Sequence, residues 1–140
     1  MKKGRTSNGL IAVVLATVIA FSTAVASQPV VSKNSAVDWK KAETNYIAAL
    51  TCENLGVRQS AANYLAEYRL KGAVEPLIQL LQTDKMESMR MAAALALVSL
   101  GGSNAMAAVG DAALYDGSDK VSKFCESLLE ASSNKFSALE

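Results

Sequence analysis

The stretch Val57-Arg58-Gln59-Ser60-Ala61-Ala62-Asn63-Tyr64-Leu65 decides the fold, because a related pattern returns twice at the same spacing. It is followed after 32 residues by Met89-Arg90-Met91-Ala92-Ala93-Ala94-Leu95-Ala96-Leu97, and after 32 more by Val121-Ser122-Lys123-Phe124-Cys125-Glu126-Ser127-Leu128-Leu129. Apolar residues recur in register at the first, fifth and ninth positions of each stretch. A fixed period of about 20–50 residues is typical of stacked supersecondary units, so the chain is predicted to be a repeat protein.

The residues between these stretches repeat as well. Ala73-Val74-Glu75-Pro76-Leu77 aligns with Ala105-Met106-Ala107-Ala108-Val109, and Asp84 aligns with Asp116. The apolar spacing is helical from Ser35 onward, which predicts an all-α fold of helix pairs. The first helices are predicted near Leu55–Tyr68, Lys85–Leu100 and Lys120–Ala131, the second near Ala73–Gln82 and Ala105–Tyr115, and a leading helix near Val37–Leu50.

Glycine and capping residues predict where these helices end. Gly72 separates the two helices of one unit, and Gly101-Gly102 ends the next first helix, because glycine readily adopts the left-handed conformation. Asn104 is predicted to cap the following helix, and Asp84-Lys85-Met86-Glu87 has the form of a capping box. Pro76 falls in a first helical turn, where its missing N–H is tolerated.

Helical spacing also predicts which side chains are buried. In the first full helix, the stripe at i, i+4, i+7 and i+8 indicates a buried face. This stripe contains Val57, Ala61, Tyr64, Leu65 and Tyr68, and its partner contains Leu77, Leu80 and Leu81. By the same spacing, Tyr46 and Tyr115 are assigned mostly to the core, and Trp39 is expected to pack on the first unit.

Residues 1–26 are predicted to be a signal peptide. A basic start, Met1-Lys2-Lys3-Gly4-Arg5, precedes the uncharged run from Leu10 to Phe21, and Ala24-Val25-Ala26 fits a small-x-small cleavage pattern. Cleavage would leave a flexible lead at 27–35 and a repeat domain at 36–140. The protein is therefore expected to be exported, to the periplasm or outside the cell. The alternative is an uncleaved membrane anchor.

Composition excludes several classes of function. Of the 14 basic residues, three lie in the signal, which leaves 11 against 13 acidic residues. A slightly acidic chain without a basic stripe is not expected to bind nucleic acid. The chain has no histidine, which removes histidine-dependent catalysis and the commonest metal ligand. The loop Asp116-Gly117-Ser118-Asp119 is too short for a calcium site. No catalytic residue, cofactor or metal is predicted.

The two cysteines are predicted to stay unpaired. Cys52 falls before the first full unit and Cys125 in the last first helix, about two units apart. Packed helices lie about 8–10 Å apart, whereas a disulfide requires Cα atoms within about 7 Å. Cys125 matches Ala61 and Ala93 in register, so a buried core position is expected. For Cys52, a reactive or intermolecular thiol remains an open alternative.

At these residues the chain resembles the HEAT-repeat family, nearest the short PBS-lyase HEAT-like form. The resemblance covers roughly Tyr46 to Ala131 and implies a right-handed α-solenoid of about two and a half to three repeats. In this family an Asp six residues before an Arg often forms a ladder between units. Asp84 and Arg90 fit this pattern, but Arg58 is preceded by Cys52, so the ladder is expected to be incomplete.

The resemblance also implies a binding face, because second helices in this family line the concave side. The outward residues of the two second helices are Glu75, Gln79, Gln82, Ala107, Asp111 and Leu114. This surface suits a protein partner better than a small molecule. The predicted function is thus an exported scaffold for a protein partner. The alternatives are an accessory or lyase-like enzyme, by resemblance to bilin lyases, and a structural component of a larger envelope assembly.

Overall fold

A computed structural model describes residues 36–137, with side chains described as far as Asn134. The predicted signal peptide and flexible lead lie outside these residues. The described chain is all-helical, without strands, which confirms the predicted fold class. Its helices are α1 (Trp39–Ala49), α2 (Leu55–Glu67), α3 (Val74–Thr83), α4 (Glu87–Leu100), α5 (Ser103–Tyr115) and α6 (Asp119–Ser137), with a 3₁₀ turn at Lys71–Ala73.

The six helices form three pairs that stack in two layers. α1 packs on α2, α3 on α4, and α5 on α6. The layer of first helices is α2, α4 and α6 in sequence order, and α3 and α5 lie side by side in the other layer. The most extensive contacts join α3 to α4 and α5 to α6. In each case a second helix packs on the first helix that follows it in the chain. The helix α1, predicted as an extra leading element, is therefore the first member of the first pair.

Small and aliphatic side chains fill the space between the layers. Alanines at the centre of the contacts are almost completely buried, which lets helix backbones approach closely. The buried residues of α4 are Met89, Ala93, Ala94, Ala96, Leu97 and Leu100. The stripe predicted for α3 is confirmed, because Leu77, Leu80 and Leu81 are all buried. A single helix pair would leave such stripes exposed, so the stack supplies the core.

The residues that end the helices differ in part from the prediction. Gly101 and Gly102 end α4 with positive φ angles of 70° and 101°, as expected for glycine. The positive φ that follows α2 is at Arg69, a non-glycine residue with φ of 52°, two residues after the helix ends at Glu67. The Leu70 N–H donates to the Leu65 carbonyl at 2.9 Å, which closes a Schellman motif. Gly72 lies in the following 3₁₀ turn, where its N–H donates to the Glu43 carboxylate.

Both predicted N-terminal caps are wrong. Asn104 is the second residue of α5, which begins at Ser103 after Gly102 without a side-chain cap. The Asp84 carboxylate accepts a hydrogen bond at 2.8 Å from the N–H of Met86, only two residues on. It therefore forms a local turn rather than a capping box, because α4 begins at Glu87, two residues later than the Lys85 start that the pattern requires.

The predicted stripe of α2 is only partly buried. Ala61 and Leu65 are in the core, but Val57, Tyr64 and Tyr68 are each more than 40% exposed. Their spacing is helical as predicted. However, no other first helix of the described chain packs on the side of α2 that is opposite to α4. A stripe on that side needs a second neighbouring first helix to bury it, and at this end of the described stack α2 has only one, α4.

Candidate functional site

The six residues predicted to bind a partner are all exposed on adjacent helices. Three lie on α3 and three on α5, and these two helices pack side by side. The residues are Glu75, Gln79, Gln82, Ala107, Asp111 and Leu114, which we call the partner strip. The strip is polar except for Ala107 and Leu114. Leu114 is 73% exposed.

The structure brings two residues of the partner strip together in one cleft. Gln82 of α3 and Asp111 of α5 both line a cleft of about 260 Å³ between the C-terminal halves of these helices. Tyr115 and Gly117 line the same cleft. An amide, a carboxylate and a phenol can together exchange hydrogen bonds with a partner's backbone or polar side chains. The cleft is too small for a typical small-molecule ligand, for which about 300–1,000 Å³ is usual.

An ion pair between Arg90 and Asp116 lies in this cleft. The Arg90 Nε and Nη2 donate to the two Asp116 carboxylate oxygens at 2.8 Å each. Both side chains are largely buried, so the pair rigidly joins α4 to the loop after α5. The hydrogen bond from Arg90, aided by one from the Ser118 N–H, lowers the pKa of Asp116, although burial opposes the shift. The same hydrogen bond raises the pKa of Arg90.

The hydrogen bond expected between Arg90 and the Asp six residues earlier is present, but the backbone carbonyl of Asp84 accepts it and the carboxylate does not. Each Arg pairs with the Asp that follows it by 26 residues: Arg90 with Asp116, and Arg58 with Asp84. Each Arg also donates to the backbone carbonyl of the residue six positions earlier. Arg58 donates to the carbonyl of Cys52, and Arg90 donates to that of Asp84. Any residue type supplies a carbonyl, so Cys52 does not interrupt the ladder.

The Arg58 pair is the looser of the two. Its Nη2 lies 3.4 Å from both oxygens of Asp84, and its buried Nε has no hydrogen-bond partner among the described residues. Arg58 and Gln79, a member of the partner strip, line a wider groove of about 810 Å³ between the first and second helix pairs. Leu50, Leu55 and Leu80 form part of its apolar lining.

The sequence prediction missed a surface residue next to the partner strip. Tyr115 was assigned mostly to the core, but it is 80% exposed at the end of α5. It stands next to Leu114 and beside the cleft that contains Gln82 and Asp111. The repeat register contained the signal, because the equivalent position one unit earlier is Thr83, which is also exposed. Large aromatic residues at the centre of an interface often contribute most of its binding energy.

The cysteines agree with the sequence prediction. Both are free thiols, Cys52 exposed and Cys125 buried, so no bridge joins them. Burial raises the pKa of the Cys125 thiol, which makes it a poor nucleophile. Within residues 36–137, no group of three or more cysteine, aspartate or glutamate side chains is placed to hold a metal ion. None of the helices in that part of the chain is both long and apolar enough to cross a bilayer.

Comparison with known families finds one match. A sequence profile described as HEAT repeats matches residues 44–129, from α1 to the middle of α6. The matched region includes both Arg–Asp pairs and the whole partner strip. Among curated proteins, none matches the chain significantly.

Proposed function

The chain belongs to the HEAT-repeat family, and from this premise we propose that it is an exported scaffold that binds a protein partner through the partner strip. HEAT repeats are generally protein-interaction scaffolds and are typically non-catalytic. The strip on α3 and α5 would be the concave face of the solenoid, and its partner would meet a polar, mildly acidic surface with Leu114 and Tyr115 at one end.

The cleft shared by Gln82 and Asp111 is the observation that supports this proposal best. Gln82 of α3 and Asp111 of α5 line this cleft from two second helices, and the Arg90–Asp116 ion pair lies in the same cleft. Leu114 and Tyr115 add apolar surface beside it, at 73% and 80% exposure. An apolar centre beside polar groups is the usual composition of a protein interface.

A double charge reversal tests the strip. The variant Glu75→Lys/Asp111→Lys alters two exposed positions, so helicity and melting temperature should stay close to those of the parent chain. Like charges across an interface are costly. The protein that the parent chain retains from an envelope extract should therefore be identified, purified and titrated against the variant. We expect at least about tenfold weaker binding, which is a loss of about 1.4 kcal/mol.

The matched control is Glu67→Lys/Glu126→Lys, which makes the same charge change at exposed positions of the first helices α2 and α6. This variant should bind like the parent chain. If the control loses binding and the strip variant keeps it, the binding face is formed by the other layer and the proposal fails. A third variant, Tyr115→Ala, separates the apolar anchor from charge and should weaken binding without changing the net charge.

A further inference from the structure

The N-terminal end of the described stack exposes positions that are buried one unit later. Met89, Ala96 and Leu100 of α4 are at most 5% exposed, because α4 packs between α2 and α6. The equivalent positions of α2, 32 residues earlier, carry Val57, Tyr64 and Tyr68. These three residues are 42–43% exposed. The residues that would face a preceding helix are therefore large and apolar, although no described helix covers them.

The C-terminal end of the stack shows the opposite pattern. Ala62 of α2 and Ala94 of α4 are fully buried, whereas the equivalent residue of α6 is the exposed Glu126. Ala66 and Val98 are partly buried, and their equivalent in α6 is the exposed Glu130. Terminal repeats of solenoids need a polar outer face. α6 has such a face, and the opposite end does not.

The exposed apolar residues at the N-terminal end form one continuous surface. The rings of Tyr64 and Tyr68 are nearly parallel, with centroids 6.1 Å apart, and Tyr46 stacks on Tyr64 at 5.4 Å. Trp39 of α1 contacts Tyr68 at 4.8 Å and is itself 47% exposed. A groove of about 460 Å³ runs between Tyr46, Val57 and Tyr64. We call Trp39, Tyr46, Val57, Tyr64 and Tyr68 the aromatic end face.

We propose that the aromatic end face binds the same face of a second copy, in a closed dimer with two-fold symmetry. A head-to-tail contact would place these rings against the carboxylates of Glu126 and Glu130, which would leave charges without partners in an apolar interface. A head-to-head contact places aromatic rings against aromatic rings. A two-fold contact of this kind uses one self-complementary surface twice and stops at two copies.

The open aromatic surface is large enough for the centre of such an interface, and surrounding residues would have to supply the rest of its area. An aromatic side chain carries about 150–250 Å² of surface, so the exposed fractions of Trp39, Tyr64 and Tyr68 leave roughly 250 Å² of open aromatic surface on each copy. Specific interfaces bury about 600–1,000 Å² per partner. The rings would form the centre of such an interface. The exposed polar residues Ser60 and Asn63 of α2 would supply part of its rim.

The variant Val57→Glu tests the dimer without threatening the fold. The Asn54 side chain already accepts a hydrogen bond from the Val57 N–H at 3.2 Å, so a glutamate there would complete a capping-box pattern at the start of α2. In a two-fold dimer the substitution adds one carboxylate from each copy to the same interface. Ser127→Glu, at an exposed position of α6, is the matched control because it adds the same charge at the other end.

Sedimentation across a wide concentration series should show the parent chain in a monomer–dimer equilibrium that stops at the dimer. Val57→Glu should dimerise at least about tenfold more weakly, and Ser127→Glu should dimerise like the parent chain. Trp39 is the chain's single tryptophan, so its emission should shift to shorter wavelength as the dimer forms.

Three results would overturn the proposal. They are a monomer at every concentration, assembly that continues beyond two copies, and a dimer in which Trp39 emission does not change. Each of these results would leave the partner strip on α3 and α5 unaffected, so failure here is distinct from failure of the proposed function.

Discussion

The helices α2 and α4 occupy equivalent places in consecutive repeats, yet α4 has the shorter ion pair and one more neighbouring first helix. Arg90 makes two hydrogen bonds of 2.8 Å to Asp116, whereas Arg58 approaches Asp84 no closer than 3.4 Å. First helices pack on both sides of α4 and on one side of α2. We therefore expect the same residue type at the same register to contribute differently to stability, depending on how many helices surround the one that carries it.

Replacing each arginine by alanine should give the largest difference in stability between the two helices. Arg90→Ala leaves the largely buried Asp116 carboxylate without its ion pair, and we expect a loss of roughly 2–3 kcal/mol in the free energy of unfolding. Arg58→Ala removes a longer ion pair and a side chain whose Nε is unsatisfied, and should cost about 1 kcal/mol. Urea denaturation measures both values. Equal losses would show that the difference in geometry has no energetic consequence.

A larger side chain at equivalent core positions should also destabilise α4 more than α2. Ala93 is fully buried in α4, so Ala93→Leu should cost about 1–3 kcal/mol. Its equivalent, Ala61, borders the open groove beside Val57 and Tyr64, which can accept a larger side chain. Ala61→Leu should therefore cost less than about 1 kcal/mol. The exposed Gln79→Ala should stay within about 0.5 kcal/mol of the parent chain. A greater loss at Ala61 than at Ala93 would contradict this account.

The two helices also end differently at equivalent positions. Arg69 follows the end of α2 with φ of 52°, and Gly101, 32 residues later, follows α4 with φ of 70°. A positive φ strains an L-residue but not glycine. Arg69→Gly should therefore stabilise the fold by up to about 1 kcal/mol, and Gly101→Ala should destabilise it by about the same amount. Thermal melting of the two variants should give shifts of opposite sign.

The smallest effect is expected in the dependence of stability on pH. The hydrogen bond from Arg90 lowers the pKa of Asp116 in the folded chain. The contribution of this lowered pKa to the free energy of unfolding is therefore complete above the ordinary pKa of an aspartate, about 3.9. It is lost as the pH falls through the lowered folded value. Asp116→Asn should remove this part of the slope of unfolding free energy against pH. Arg90→Ala should remove most of it, because Asp116 then keeps only the hydrogen bond from the Ser118 N–H.

Much of the architecture could be predicted from the sequence. Five of the six predicted helices have observed bounds within about two residues of the prediction, because helical periodicity and the breaks at Gly101 and Asp116 act locally. α6 runs further than expected, to Ser137, since no glycine or proline ends it. All six residues of the partner strip were correctly predicted to be exposed, from spacing on α3 and α5 alone.

The helices and the repeat of 32 residues were determined by the sequence itself, because helical spacing depends on residues within one or two turns and the repeat is a periodicity of the sequence. Tertiary structure decided the rest. Arg58 pairs with Asp84 only because stacking brings residues 26 positions apart into contact. Tyr64 is exposed whereas its equivalent Ala96 is buried, although both follow the same helical spacing. Periodicity states which side of a helix is apolar, and only the presence or absence of a neighbouring helix decides whether that side is buried.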